Sequence, residues 1–365
     1  MELGPNGCIV VGAGPAGLAT AQQLGERGIP HIVLERGADI AHCWRNAYDS
    51  LRLHTGKHLS ALPGMRFPGT TPLFPSRDDF VDYLMRYARR FNLSVQTNRR
   101  VNRITRDQSW IVETDRGVLR APNLVCATGI MSNPIVPYLT GRELFRGRII
   151  HSVEYRRPDP FEGQRVLVVG VGNSGGEIAS ELAAHGVDVS IAVRSGANVV
   201  PLTIAGLPVQ YLSALVRKLP RTAQEWVVER IRRRSDARRP PVLPRPAHSP
   251  LDSIPLIGFS LVDAIAAGSV VVRSGLAGFT EEGVRYTDLG RERFDVVILA
   301  TGFRAALSPL GSLVSTDARG FALRRDRVRS AQHDSLWFVG HNYDSTGGLR
   351  NINTDSRLVS RQIAA

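Results

Sequence analysis

Two sets of glycines have the type and spacing to do chemistry: Gly12, Gly14 and Gly17, then Gly170, Gly172 and Gly175, both reading GxGxxG. Each set follows a short apolar run, CIVV at 8–11 and RVLVV at 165–169, and opens a stretch with helical apolar spacing. At a strand-to-helix turn the first glycine permits the tight turn and the second lets a pyrophosphate approach the backbone. The third lets helix and strand pack closely, with the phosphates on the helix N-terminus. Pro15, Ala16, Asn173 and Ser174, the small or polar residues filling these turns, are compatible with close phosphate approach. One GxGxxG alone is a weak signal; two in this context point to two dinucleotide sites.

The copies differ where the ribose is read, about twenty residues further on. The run HIVLE ends on Glu35, followed by Arg36, and an acid there suits ribose hydroxyls. The run DVSIAVRS ends on Arg194 and Ser195, which suit a 2′-phosphate. One dinucleotide without that phosphate and one with it are expected, and FAD and NADPH fit the pair.

Such turns need parallel sheets to carry them. The expected fold class is α/β, with two Rossmann-like, three-layer dinucleotide-binding domains. The run at 124–130, LVCATGI, ends on Ala127, Thr128 and Gly129, and the run at 298–303, ILATGF, repeats this with Thr301 and Gly302. A glycine there lets a strand end approach a cofactor. With a helix expected after Pro75, Ser76 and Arg77, the aromatic stripe Phe80, Tyr83, Tyr87 and Phe91 reads as core. Three short strands, LSVQT, VNRI and WIVET, suggest a small sheet from about 93 to 119.

At 365 residues the chain is long enough for two or three domains. It has no apolar run of membrane-spanning length, and MELGPNG lacks the features of an export signal, so the expectation is a soluble, cytoplasmic protein. Cys8, Cys43 and Cys126 are far apart and form no CxxC or metal-ligand cluster, which removes the chemistry of a disulfide reductase. The net charge of +13 comes from 46 basic residues, of which all but Lys57 and Lys218 are arginine. That skew reads as codon bias, and no nucleic-acid motif accompanies it. The basic stretch at 217–239 is open to three readings: a lid, a helix on a membrane surface, or a solvated helix pair, with Trp226, Val227, Val228 and Ile231 near one face. Pro240, Pro241, Pro244, Pro246 and Pro250 mark a stiff crossing after it.

Phe145, Gly147, His151 and Tyr155 are spaced FxGxxxHxxxY just ahead of the second glycine turn. With the two turns and the paired ATG strand ends, this fingerprint resembles the class B flavin-dependent monooxygenases, and Tyr155 resembles their heteroatom-oxidising and YUCCA-type branches. The stretch LRLHTGKHLSALPGMRFP is similar to the YUCCA-type flavin-side loop. The resemblance implies a discontinuous FAD domain at 1–158 and 295–365. Into it an NADPH domain at 159–294 is inserted, with a helical, proline-rich excursion at 205–250. It places His54 and Lys57 close to the flavin, His54 as a hydrogen-bond donor, and has His151 couple cofactor position to domain arrangement. Trp44, Arg45, Pro75 and Val101 become cofactor contacts by family position, as do Gly340, His341, Asn342, Gly348 and Leu349 near the end of the chain. Asn351, Asn353 and Asp355 are expected to touch substrate, because NYDSTGGLRNIN is more polar than a flavin-closing turn requires.

The implied activity is NADPH reduction of FAD, formation of a C4a-(hydro)peroxyflavin with O2, and transfer of one oxygen atom to a small molecule. Nitrogen, sulfur and 2-oxo acid substrates all remain open, as do a dimer and peripheral membrane contact. The alternatives are a flavin NADPH oxidase or reductase without oxygen transfer, and a non-catalytic nucleotide or redox sensor.

Overall fold

A computed structural model describes every residue except Pro240, His248, Pro250, Asp252, Ser253, Tyr343 and Ser345, with the side chains of Ala214 and Arg238 also outside it. Part of the proline crossing and of the NYDSTGGLRNIN stretch therefore lies outside the described residues. The chain forms two compact units. The first comprises Met1–Asn46, Leu51–Asn133 and Phe303–Ala365, and the second Ala47–Ser50 and Pro134–Gly302.

In the first unit a five-stranded sheet runs in the order Leu336–Phe338, Asn123–Cys126, Cys8–Val11, His31–Leu34, Val95–Gln96, with every pairing parallel. These strands are short and apolar because both faces are covered, as a parallel sheet requires. The helices Pro15–Gly25, Arg77–Arg90 and Gly348–Ala364 contribute Leu18, Tyr83 and Ile352 to a core on one face with Val10, Val125 and Trp337. On the other face, Trp110, Val112 and Leu119 of a three-stranded antiparallel sheet pack with Ile9, Leu124 and Phe338. The result is three layers.

The second unit repeats the plan. Its parallel sheet runs Val270–Arg273, Asp188–Ala192, Arg165–Val169, Val296–Leu299, Arg148–His151. Phe279, Val284 and Tyr286 of a second antiparallel sheet share a core with Leu167, Val169 and Val297. In both units the glycine turn leaves the middle strand of five, where Brändén's crevice at the carboxyl ends of the strands is expected to bind ligands.

The helix Arg77–Arg90 shows how local sequence fixes an element. Ser76 and Asp79 form a reciprocal capping box, satisfying two N-terminal donors. Phe80, Tyr83, Leu84 and Tyr87 then fall on one buried face, as the apolar spacing predicts. Their hydroxyls do more than fill the core: Tyr83 Oη donates to Met65 O at 2.7 Å and accepts from Leu62 N at 2.8 Å. Tyr87 Oη donates to Pro63 O at 2.7 Å, so this helix pins the 62–65 loop.

Several expectations need correction. The LSVQT strand does not join the small sheet: Val95 and Gln96 pair with Val33 and Leu34 at the edge of the parallel sheet. The third small-sheet strand is instead Gly117–Ala121, beyond the DRG turn. The division between units falls at 133/134 and 302/303, directly after the two ATG segments, rather than at 158/159 and 294/295. The reason is strand pairing, since Arg148–His151 and Val296–Leu299 pair with each other in the second sheet. In the helix Arg221–Arg238, Trp226 does not share the packed side with Val227, Val228 and Ile231; it is 63% exposed and lies under the Arg230 guanidinium.

Candidate functional site

The three jobs expected of each glycine set are visible as three kinds of space. A β-carbon on Gly12 would come within 2.5 Å of Ala127 O, and one on Gly17 within 1.8 Å of Gly12 O. On Gly14 it would meet nothing within 4 Å. The second turn repeats this: 2.6 Å from Ala300 O for Gly170, 2.0 Å from Gly170 O for Gly175, and nothing within 4 Å for Gly172. Gly12 and Gly170 also sit at φ +106° and +109°, where other residues are strained. The outer glycines are thus required by packing. The middle ones leave the open approach a pyrophosphate needs, at the starts of the helices Pro15–Gly25 and Asn173–Ala184.

In the first unit a cavity of about 180 Å³ is lined by Gly12, Glu35, Arg36, Val101 and Thr128, among others. Glu35 is buried and accepts from Ala13 N at 2.9 Å with one carboxylate oxygen and from Gly37 N at 2.8 Å with the other. Each oxygen retains acceptor capacity, which suits a ribose diol. Thr128 Oγ1 donates to Ala306 O at 2.7 Å, fixing the strand end beside Gly129. These residues fit the adenosine half of a dinucleotide.

A second neighbourhood of the same unit gathers around the first turn of the last helix. A β-carbon on Gly340 would lie 3.3 Å from Ala16 Cβ, and one on Gly347 would lie 2.9 Å from Thr55 Oγ1. Gly14 to Ala16, the loop bearing His54, Gly340, and Gly347 to Leu349 are therefore held close by residues that leave no side-chain bulk. Trp44 packs edge-on against Phe80 at 4.7 Å, Arg45 pairs with Asp39, and buried Pro75 accepts from Leu53 N at 2.8 Å. His54 is half-buried. Lys57 is differently occupied: its ammonium donates to Pro68 O, to Gly69 O at 3.0 Å and to Thr71 O, clasping the 68–71 loop.

The C-terminal polar residues form a network that sequence reasoning read as substrate contacts. Asp355 is fully buried and accepts from Arg327 and, at 2.8 Å, from Asn342 Nδ2. Asn342 Oδ1 accepts from Arg324 at 3.0 Å, and Asn351 accepts from Arg327 at 3.0 Å while donating to Asn342 O at 2.8 Å. Asn353 Nδ2 donates to Ala61 O at 3.1 Å. The amides of Asn342, Asn351 and Asn353 are thus engaged in holding the turn and helix together. His341 is buried between the rings of Phe321 and Phe338, and burial, reinforced by Arg324, lowers its pKa to about 3.

In the second unit the fingerprint residues take up positions around the helix Asn173–Ala184. Tyr155, 1% exposed, donates to Glu181 at 2.8 Å, and Tyr48 donates to Glu177 one turn earlier. Burial and the facing carboxylates push both phenols far above their usual pKa, so both stay protonated donors. His151 ends its strand buried, its amide donating to Glu154 at 2.8 Å and its ring accepting from Val153 N at 3.2 Å. Burial holds its pKa down against the Gly302 backbone and Glu154. Thr301 Oγ1 donates to Ile135 O, the counterpart of the Thr128 bond. Asn173 donates to Pro255 O at 3.2 Å and accepts from Ile257 N at 2.9 Å, so its side chain latches a neighbouring segment, and its backbone with Ser174 faces the open approach. Arg194 and Ser195 are both exposed at the end of Asp188–Ala192.

Comparison with known proteins agrees with this geometry. The family profile for pyridine nucleotide-disulphide oxidoreductases matches residues 9–237, spanning both glycine turns. The cysteines are all free, with Cys8 and Cys126 buried in strands of the first sheet. The chain is 36% identical over 326 residues to the indole-3-pyruvate monooxygenase YUCCA4 of Oryza sativa subsp. japonica, covering 82% of this chain and 74% of that protein. It is 37% identical over 313 residues to YUCCA1 of the same organism, covering 82% and 77%. A flavin-containing monooxygenase from Stenotrophomonas maltophilia shares the fold, with a TM-score of 0.78 at 24% identity over 98% of this chain and 97% of that one. The chain belongs to the class B flavin-dependent monooxygenases, oxidoreductases that use FAD, NADPH and O2 to transfer oxygen to an organic substrate.

Proposed function

We propose that the first unit holds FAD, the second holds NADPH, and the substrate is a 2-oxo acid. The alternation of packed and open glycines in both turns supports the two dinucleotide assignments, and it is the observation that carries the reading. The 36–37% identity to indole-3-pyruvate monooxygenases over 82% of the chain supports the substrate class over an amine or a sulfide.

Bound FAD would accept a hydride from NADPH and activate O2. Around it the chain binds, orients and excludes water. Gly14 and the first turn of Pro15–Gly25 receive the FAD pyrophosphate, Glu35 the ribose, and Val101 the adenine. Gly172, Asn173 and Ser174 receive the NADPH pyrophosphate, and Arg194 with Ser195 its 2′-phosphate. His54 donates a hydrogen bond on the flavin side, whereas Lys57, Asn342, Asn351 and Asn353 act by holding their segments in place. His151 ties the end of its strand to Gly302. The balance for a 2-oxo acid is R–CO–COOH + O2 + NADPH + H⁺ giving R–COOH + CO2 + H2O + NADP⁺.

No helix among the described residues is long and apolar enough to cross a membrane. A cytoplasmic location belongs to the same proposal and rests on the three free thiols. The substrate assignment is tested by supplying purified holoprotein with NADPH and an aromatic 2-oxo acid, an amine or a sulfide, and measuring products by mass spectrometry. Release of CO2 with the shortened carboxylic acid is the expected result; N- or S-oxide formation without reaction of the 2-oxo acid would replace the substrate class.

A further inference from the structure

The loop after Asp188–Ala192 carries Arg194, Ser195, Gly196 and Ala197, and the proline crossing lies directly on it. Gly196 is at φ +81°, and a β-carbon there would fall 1.9 Å from Pro244 O and 3.2 Å from Arg245 N. Ala197 N donates to Pro244 O at 3.2 Å. The two backbones are therefore in contact, and only a glycine allows it. On the far side of Arg194, a β-carbon on Gly275 would pack at 3.4 Å from its Cα, Cβ and Cγ.

Arg245 follows immediately from this contact. Leu243 anchors the crossing in the interior, and Pro244 and Pro246 restrict the backbone on both sides of residue 245. The Arg245 side chain is exposed and its guanidinium pairs with Asp236 on the helix Arg221–Arg238. A guanidinium has five N–H donors in a planar fork, so the bond to Asp236 leaves donors for a second anion. A stiff segment thus presents a pre-oriented arginine beside the loop bearing Arg194 and Ser195.

We propose that Arg245 is a second residue recognising the 2′-phosphate of NADPH, with Asp236 orienting its guanidinium. This rests on the assignment of that phosphate to Arg194 and Ser195. It gives the proline crossing a function in cofactor discrimination that the glycine motif does not contain.

The test is calorimetric titration of the full-length flavin-loaded protein at fixed ionic strength with adenosine 2′,5′-bisphosphate, and separately with 5′-AMP, which lacks the 2′-phosphate. Arg245→Gln is expected to weaken the bisphosphate by about tenfold, the loss of one charge-assisted hydrogen bond, and to leave 5′-AMP unchanged. Arg245→Lys should restore part of the loss. Arg194→Gln is the control for the underlying assignment. If Arg194→Gln weakens the bisphosphate and Arg245→Gln does not, the role of Arg245 is wrong while the site stands. If neither variant weakens it, the 2′-phosphate assignment fails and takes this inference with it. Equal weakening of both probes by Arg245→Gln would overturn phosphate recognition in favour of a structural role.

Discussion

Gly17 stands against the carbonyl oxygen of Gly12 so closely that a β-carbon would come within 1.8 Å of it, while Gly14, between them, faces open space. Two alanine substitutions three residues apart should therefore fail differently. Gly17→Ala must displace backbone and should cost about 1–3 kcal/mol of stability even in flavin-free protein. Gly14→Ala, at φ −79°, should fold normally and lose FAD, because its methyl occupies the phosphate approach. Thermal melts with flavin absorbance separate the two, and full FAD retention by Gly14→Ala would contradict the cradle.

Tyr155 and Glu181 should be energetically coupled. Their bond is 2.8 Å long, with the phenol fully protonated at any working pH. A double-mutant cycle with Tyr155→Phe and Glu181→Ala should yield a coupling of about 1.5 kcal/mol in urea unfolding. Additive losses would leave the fingerprint tyrosine without this structural role.

His54 and Lys57 were read together from sequence, yet the structure separates their tasks. His54→Ala should raise the fraction of NADPH oxidation that ends as hydrogen peroxide, while the 68–71 loop stays intact. Lys57→Met removes the clasp on Gly69 and Thr71 and should speed trypsin cleavage after Arg66. A His54→Ala enzyme that keeps full coupling of NADPH to product would remove His54 from the flavin-side chemistry.

His341 should impose an acid limit on stability. Its pKa is about 3 in the folded chain against about 6.5 unfolded, so the folded state disfavours the charged form. The sign follows: protonation on acidification favours unfolding, stability is unaffected above pH 6.5, and it falls below that by up to about 1.4 kcal/mol per pH unit. Between pH 7 and pH 5 the native protein should lose about 2 kcal/mol more than His341→Phe. Parallel stability curves for the two proteins would show that the ring is not buried neutral.

Much of this organisation was legible in the sequence because glycine spacing and apolar strand runs report backbone requirements directly. Glu35 and Arg194 with Ser195 were legible for the same reason, each ending a strand at a fixed distance from its glycines. Side-chain pairings across long separations were not. Asn342, Asn351 and Asp355 advertise polarity, but nothing local to them announces that Arg324 and Arg327 satisfy them. Nor does composition change at Ala47–Ser50, where four residues join the second unit and Tyr48 meets Glu177. LSVQT was assigned to the wrong sheet because a two-residue edge pairing leaves no periodic signal.

Oxygen transfer itself is tested most directly by reducing the holoprotein with NADPH without air, then mixing it with 18O2 and a 2-oxo acid while recording the flavin spectrum and collecting products. The account predicts reduction by NADPH, a transient spectrum distinct from reduced and oxidised flavin, and one 18O atom in the carboxylic acid product. Direct return to oxidised flavin, with stoichiometric hydrogen peroxide and no labelled product from a 2-oxo acid, an amine or a sulfide, would contradict it.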